Sequence, residues 1–114
     1  MRTIVAQNYN ALLSDVCEVP VLSQGNTSSW AQYTLKLDNR TELQSKLREV
    51  GIPTVVYYPI PLSKQIGYKQ YPSVTTGVDS SSKLSEKVLS IPMHPYLSDE
   101  SQHYISRKII ECFN

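Results

Sequence analysis

The 114 residues predict one α+β domain, a small and mostly antiparallel sheet of about three strands covered by helices. Three observations lead there. Apolar residues recur at helical spacing in separate stretches, short alternating or β-branched runs lie between those stretches, and prolines and glycines punctuate the joins. The resulting order is helix, strand, helix, strand, helix, strand, helix. A sheet this small favours antiparallel pairing, which tolerates one face left for solvent or a partner.

Residues 2–14 place Val5, Tyr9, Leu12 and Leu13 on one helical face, with no capping side chain ahead of them except Thr3, already inside the pattern. A start without a cap leads us to expect the remainder of a longer helix. Residues 17–29 form a connector carrying Pro20 and a polar turn cluster. From Trp30 to Leu37 the pattern alternates, with Ala31, Tyr33, Leu35 and Leu37 on one face of a half-buried strand and Gln32, Thr34 and Lys36 on the other. Asn39 and Glu42 form a capping-box-like pair at the start of the next helix. Leu43, Leu47 and Val50 line that helix's inner face, and Gly51 supplies a left-handed stop.

After Pro53 comes a second strand, Thr54–Tyr58, ended by Pro59-Ile60-Pro61. Residues 63–78 are a polar, tyrosine-bearing excursion without a clear period. Asp79 caps a helix carrying Leu84 and Val88, and Leu89-Ser90-Ile91 is a short third strand stopped by Pro92. Ser98 caps the last helix, with Asp99 and Glu100 in its first turn and Ile105, Ile109 and Cys112 or Phe113 facing inward. Internal repeats are absent, and residues 1–114 read as a single unit.

Composition excludes several function classes. Eleven Lys and Arg against ten Asp and Glu give a formal charge of +1, so nothing attracts nucleic acid or an acidic membrane surface. No apolar run reaches the roughly 20 residues of a membrane span. The start resembles no secretory signal, which points to the cytoplasm. Cys17 and Cys112 stand near opposite ends and read as separate thiols of a reducing compartment.

No self-sufficient catalytic apparatus emerges. His94 and His103 belong to different elements and, with the scattered cysteines, offer no metal-ligand spacing. The seven lysines (36, 46, 64, 69, 83, 87 and 108) fall mostly on polar faces, where an amine stays protonated and is a poor nucleophile. The four glycines are dispersed, so no loop can wrap backbone amides around a phosphate. Two stretches still stand out. In Tyr57-Tyr58-Pro59-Ile60-Pro61-Leu62, alternation sends one tyrosine inward and presents the other at the strand end, where a phenol can stack on a base or sugar and donate to a phosphate or hydroxyl. The competing account is a strand end pinned by prolines and aromatic packing. In Ser90-Ile91-Pro92-Met93-His94-Pro95-Tyr96-Leu97, His94 sits in a rigid bend as a ligand contact or as a histidine satisfied by backbone carbonyls.

Four segments recur in one order: Trp-Ala-Gln-Tyr-Thr (30–34), Leu-Arg-Glu-Val-Gly-Ile-Pro-Thr (47–54), Tyr-Tyr-Pro-Ile-Pro-Leu (57–62) and Val-Leu-Ser-Ile-Pro-Met-His-Pro-Tyr-Leu-Ser (88–98). In register, they make the chain resemble the carboxy-terminal small domain of the DegT/DnrJ/EryC1/StrS sugar aminotransferases, from Arg2 to Phe113. The resemblance is nearest to members acting on UDP-linked keto sugars in bacterial surface-polysaccharide synthesis. It implies a homodimeric enzyme of fold-type I, whose large domain holds pyridoxal phosphate (PLP) on a lysine and passes an amine from glutamate to a keto sugar. Residues 1–14 would then be the remnant of the inter-domain helix. This chain itself would carry no cofactor, no catalytic residue and no metal. The family commonly has His-Tyr before Pro-x-Pro; here Tyr57 takes the histidine position and Tyr58 the tyrosine position, and the resemblance makes both nucleotide-sugar contacts. Ser63 stands where many relatives have a further histidine, and Met93-His94-Pro95-Tyr96 is given a structural role. The expected function is thus a domain or truncated copy of a nucleotide-sugar aminotransferase, not catalytic alone. The alternative is a free-standing binding or dimerisation module on the same fold, pairing through its exposed face.

Overall fold

The computed structural model describes residues 1–74 and 76–113. Its elements run α1 (Arg2–Leu13), β1 (Tyr33–Lys36), α2 (Arg40–Glu49), a single 3-10 turn at Leu62–Lys64, α3 (Asp79–Lys87), β2 (Val88–Ile91) and α4 (Asp99–Glu111). The two strands pair antiparallel, with Tyr33 opposite Ile91, Thr34 opposite Ser90, Leu35 opposite Leu89 and Lys36 opposite Val88.

The expected Thr54–Tyr58 strand shrinks to one bridge. Val55 and Ser90 exchange backbone hydrogen bonds of 3.0 and 2.8 Å, and the ladder goes no further on that edge. Pro53, Pro59 and Pro61 lack the N–H groups that a longer ladder would use. On the opposite edge Glu18 bridges Lys36. The sheet is therefore two full strands with a single-residue bridge on each flank.

Alternation sends Tyr33, Leu35, Leu89 and Ile91 to one face, where all four are buried. Against them lie Val5, Ala6, Tyr9 and Leu13 of α1, Leu43 and Leu47 of α2, and Ile105 and Ile109 of α4. Each fully covered leucine or isoleucine stabilises the fold by roughly 1.5–3 kcal/mol. The Tyr9 and Tyr33 rings meet at 5.0 Å. Tyr9 donates its hydroxyl to the Pro92 carbonyl at 3.0 Å, and Tyr33 donates to the Asn10 side chain, so neither buried phenol is left unpaired. Burial holds both phenols above the ordinary tyrosine range.

Several local expectations are corrected. Trp30 rather than Ala31 turns into the core; its backbone is left-handed (φ 50°), and its N–H donates to Ser28 Oγ at 3.0 Å. Asn39 occupies the cap position of α2 without capping it. Its φ/ψ of −109°/37° is not the extended conformation from which a side chain reaches back to the first turn, and Glu42 is drawn down the helix to Lys46 at 2.7 Å. Val50 is exposed. Asp79 lies inside the first turn of α3, capping nothing, and Leu84 points to solvent while Ser85 is buried.

Other signals act as read. At the end of α2, Ile52 N–H donates to the Leu47 carbonyl (2.9 Å) and Gly51 N–H to the Arg48 carbonyl (3.0 Å), a Schellman closure around Gly51 at φ +76°. Ser98 Oγ accepts the Ser101 N–H at 3.2 Å and caps α4. Cys17 and Cys112 are free thiols. Among the described residues no helix is long and apolar enough to cross a membrane.

Candidate functional site

The outward face of the sheet positions the site. Residues opposite each other in an antiparallel pair share a face, so Thr34 and Ser90 lie together on the side away from the core. Their hydroxyls are 2.8 Å apart and hydrogen-bonded. Val55 bridges Ser90, and the chain then runs through Val56 to Tyr57. Where these segments meet the end of β2 they form a cleft of about 210 Å³. Val55, Ile91, Pro92 and Met93 make its walls apolar, and Gln32, Ser90 and Tyr57 contribute polar groups.

The two tyrosines fall out differently from the expectation of one inside and one outside. Both are exposed, Tyr57 at 43% and Tyr58 at 71%. Their rings pack edge to face at 5.7 Å and 83°. Tyr57 lines the cleft and Tyr58 braces it from the solvent side. The cleft is small and mostly apolar, with Tyr57 in its lining, and suits a small flat or ring-shaped ligand group.

His94 stands outside this cleft. It is exposed, and its Nδ1 accepts the Tyr96 N–H at 3.3 Å; its partner is thus a backbone N–H rather than carbonyls. The bend it occupies is tied to α1 by the Tyr9–Pro92 hydrogen bond. Ser63 lies half-buried in the 3-10 turn. His103 Nδ1 is 2.8 Å from the Asp99 carbonyl, one turn back on α4. Among the described residues no group of His, Cys, Asp or Glu is arranged to hold a metal ion.

A larger groove of about 780 Å³ runs beside β1 and α3, lined by Cys17, Lys36, Asp38, Lys87 and Phe113 among others. Four of its charged side chains are paired with one another. Lys36 meets Glu18, and Lys87 meets Asp38 at 2.6 Å, an exposed contact that lowers the Asp38 carboxyl pKa and raises that of the Lys87 amine. Burial pushes the Cys17 thiol up to about 11, and its Sγ–H points back to the Leu13 carbonyl, so no thiolate nucleophile faces the groove. The smaller cleft has less volume but more chemistry.

Gln32, Val55 and Met93 were not singled out as site residues from sequence. The alternation of residues 30–37 put Gln32 on the outer face; what it lacked was the register that brings Ile91, Pro92 and Met93 alongside.

Comparison with known proteins gives a consistent result. The sequence pattern of the DegT/DnrJ/EryC1/StrS aminotransferase family matches residues 1–110. The chain is 39% identical over 102 residues to a UDP-2-acetamido-2-deoxy-3-oxo-D-glucuronate aminotransferase of Pseudomonas aeruginosa, covering 89% of this chain and 28% of that protein. It is 36% identical over 117 aligned residues to a pleiotropic regulatory protein of Geobacillus stearothermophilus, covering 95% of this chain and 30% of that one. The crystal structure of a DegT/DnrJ/EryC1/StrS aminotransferase from Brucella abortus superposes with a TM-score of 0.95 at 42% identity, over 99% of this chain and 30% of its own. The chain thus spans less than a third of the length of these relatives. It belongs to the DegT/DnrJ/EryC1/StrS aminotransferase family.

Proposed function

We propose that this member of the family is the carboxy-terminal domain, or a truncated copy, of an aminotransferase acting on nucleotide-linked keto sugars, and that it does not transaminate by itself. The observation that carries the reading is its family match along nearly the whole chain, combined with a length under a third of its relatives. The family is PLP-dependent. The residues of this chain do not fit that cofactor. None of the seven lysines is buried, and Lys36, Lys46, Lys87 and Lys108 are each committed to a carboxylate. The Lys46 and Lys87 amines are pushed above the ordinary lysine range by those partners, opposite to the depression that makes a lysine nucleophilic at neutral pH.

In this reading the working enzyme is assembled in the cytoplasm, where a further polypeptide segment holds the cofactor and the Tyr57–Tyr58 corner contacts the nucleotide sugar. A UDP-linked keto sugar is the substrate class that the Pseudomonas relative's name supports, and its use in surface-polysaccharide synthesis is part of the proposal. The chain itself binds and orients the sugar nucleotide; the cofactor, when bound elsewhere, is the electron sink.

The test is direct. Incubated with pyridoxal phosphate and reduced with borohydride, the chain is expected to yield no stoichiometric pyridoxyl adduct at any one lysine by peptide mass mapping. A single lysine labelled to completion, with amino-group transfer by the chain alone, refutes the proposal.

A second reading has its own support. Ile60, Leu62, Ile66, Tyr68, Tyr71 and Val74 are all exposed, an apolar concentration of the kind that marks an interface. A free-standing module, dimerising through this stretch, would bury it. Sedimentation equilibrium separates the two: a monomer at high micromolar concentration removes the second reading.

A further inference from the structure

We propose that Gln32 is a specificity residue of the Tyr57 cleft, reading an amide group of the bound nucleotide sugar. This rests on the preceding reading that the cleft receives such a ligand, and it deepens it by naming the contact. Three observations carry it. Gln32 is exposed and lines the same 210 Å³ cleft as Tyr57. Ser90, another polar residue there, is buried and already hydrogen-bonded to Thr34. The Gln32 carboxamide makes no hydrogen bond to the protein among the described residues and keeps both its acceptor and its donors for a ligand.

A carboxamide pairs with another amide in a complementary way, its carbonyl accepting the ligand N–H while its NH2 donates to the ligand carbonyl. Hydroxyl groups meet neither requirement with the same geometry. Val55, Ile91 and Met93 give the cleft apolar walls beside Gln32, so a ligand seated against them would be held with its amide toward the carboxamide. The volume suits a single group of ring or acetamido size rather than a whole sugar nucleotide. Two parts of a nucleotide sugar present that amide chemistry: an acetamido substituent on the sugar, and the imide edge of a pyrimidine.

The experiment is an NMR titration of the full 114-residue chain with UDP-N-acetylglucosamine, UDP-glucose and UMP, for the unaltered protein, Gln32→Leu and Tyr57→Ala. Gln32→Leu is expected to weaken UDP-N-acetylglucosamine about tenfold, the usual size of one well-made polar contact. If UDP-glucose and UMP are unaffected, the amide read is the acetamido group; if all three weaken together, it is the pyrimidine edge. Gln32→Glu, which keeps size and polarity but loses the NH2 donor and adds a charge, should fail in the same ligand-dependent way, as a purely structural role would not. Binding abolished by Tyr57→Ala yet unchanged in Gln32→Leu overturns this proposal and leaves the cleft reading intact. No binding of any ligand to the unaltered chain overturns both.

Discussion

Two regions of this molecule hold similar apolar material and use it in opposite ways. In the layer of α1, β1, β2 and α4, the inward-facing leucines, isoleucines and tyrosines are almost wholly covered, and Tyr9, Tyr33, Leu35, Leu89 and Ile109 have no exposed surface. Between Tyr57 and Val74, four tyrosines, two isoleucines, a leucine and a valine are all exposed, and the only regular element is one 3-10 turn. Apolar content does not separate the two; pairing does. The first region has a backbone ladder and helices whose faces meet, and the second has Pro59, Pro61 and Pro72 where ladder donors would be needed. Stability is therefore concentrated in one half, while apolar surface remains available in the other.

The sharpest way to break this comparison is a pair of truncations. Leu89→Ala is expected to destabilise the chain by about 2–5 kcal/mol in urea unfolding, because it opens a cavity at a fully covered position. Ile66→Ala, at 85% exposure, should shift stability by no more than about 0.5 kcal/mol. Equal effects would mean that the excursion belongs to the cooperative core.

Cys17 tests the rim of the covered layer. Its thiol is raised from 9.0 to about 11, so near pH 8 the folded protein holds on the order of one hundredth of the thiolate of the unfolded chain. Iodoacetamide labelling should be slower on folding by about that factor, and unchanged labelling would place Cys17 outside the layer. Because the neutral form is favoured on folding, the stability linked to this group is fully present below the unfolded thiol pKa and is lost as pH rises from there through the folded value of about 11.

A smaller change is expected at Gly51. No atom would meet an added Cβ, so Gly51→Ala reports the left-handed backbone alone and should cost about 1 kcal/mol by thermal unfolding. The smallest effect belongs to Asp38→Asn. Lys87 lowers the Asp38 carboxyl pKa, so the pair's contribution is present above the usual carboxylate range and fades as pH falls through the lowered value. This exposed pair should alter only the acid limb of the stability profile, and 1 M salt should erase the difference.

Much of the covered layer was legible in the residues, since helical spacing in α1 and α4, the Ser98 cap and the Gly51 stop each depend on neighbours within a turn. What escaped turns on competition between local signals and, for the cleft, on partners far along the chain. Asn39 and Glu42 satisfy the capping-box pattern, yet Lys46 competes for Glu42 and wins. Ala31 fits the alternating face, yet the left-handed turn at Trp30 rotates the larger ring inward. Thr54–Tyr58 has strand composition, but its flanking prolines limit it to the Val55 bridge. The cleft draws on residues 31–32, 53–57 and 90–93, and only the β1–β2 register together with the Val55–Ser90 bridge reveals that Gln32 and Tyr57 share it.

The closure at the end of α2 has a kinetic corollary. Ile52 is locked to Leu47 and Val55 to Ser90, leaving only Pro53 and Thr54 between two fixed points, one of them a proline with a restricted φ. The path as far as Val55 is thus preset, and the proposed ligand would meet on that side of the cleft a backbone that has already lost its freedom. Association should then proceed in one step, at a rate proportional to ligand concentration, without the plateau that a slow rearrangement would impose.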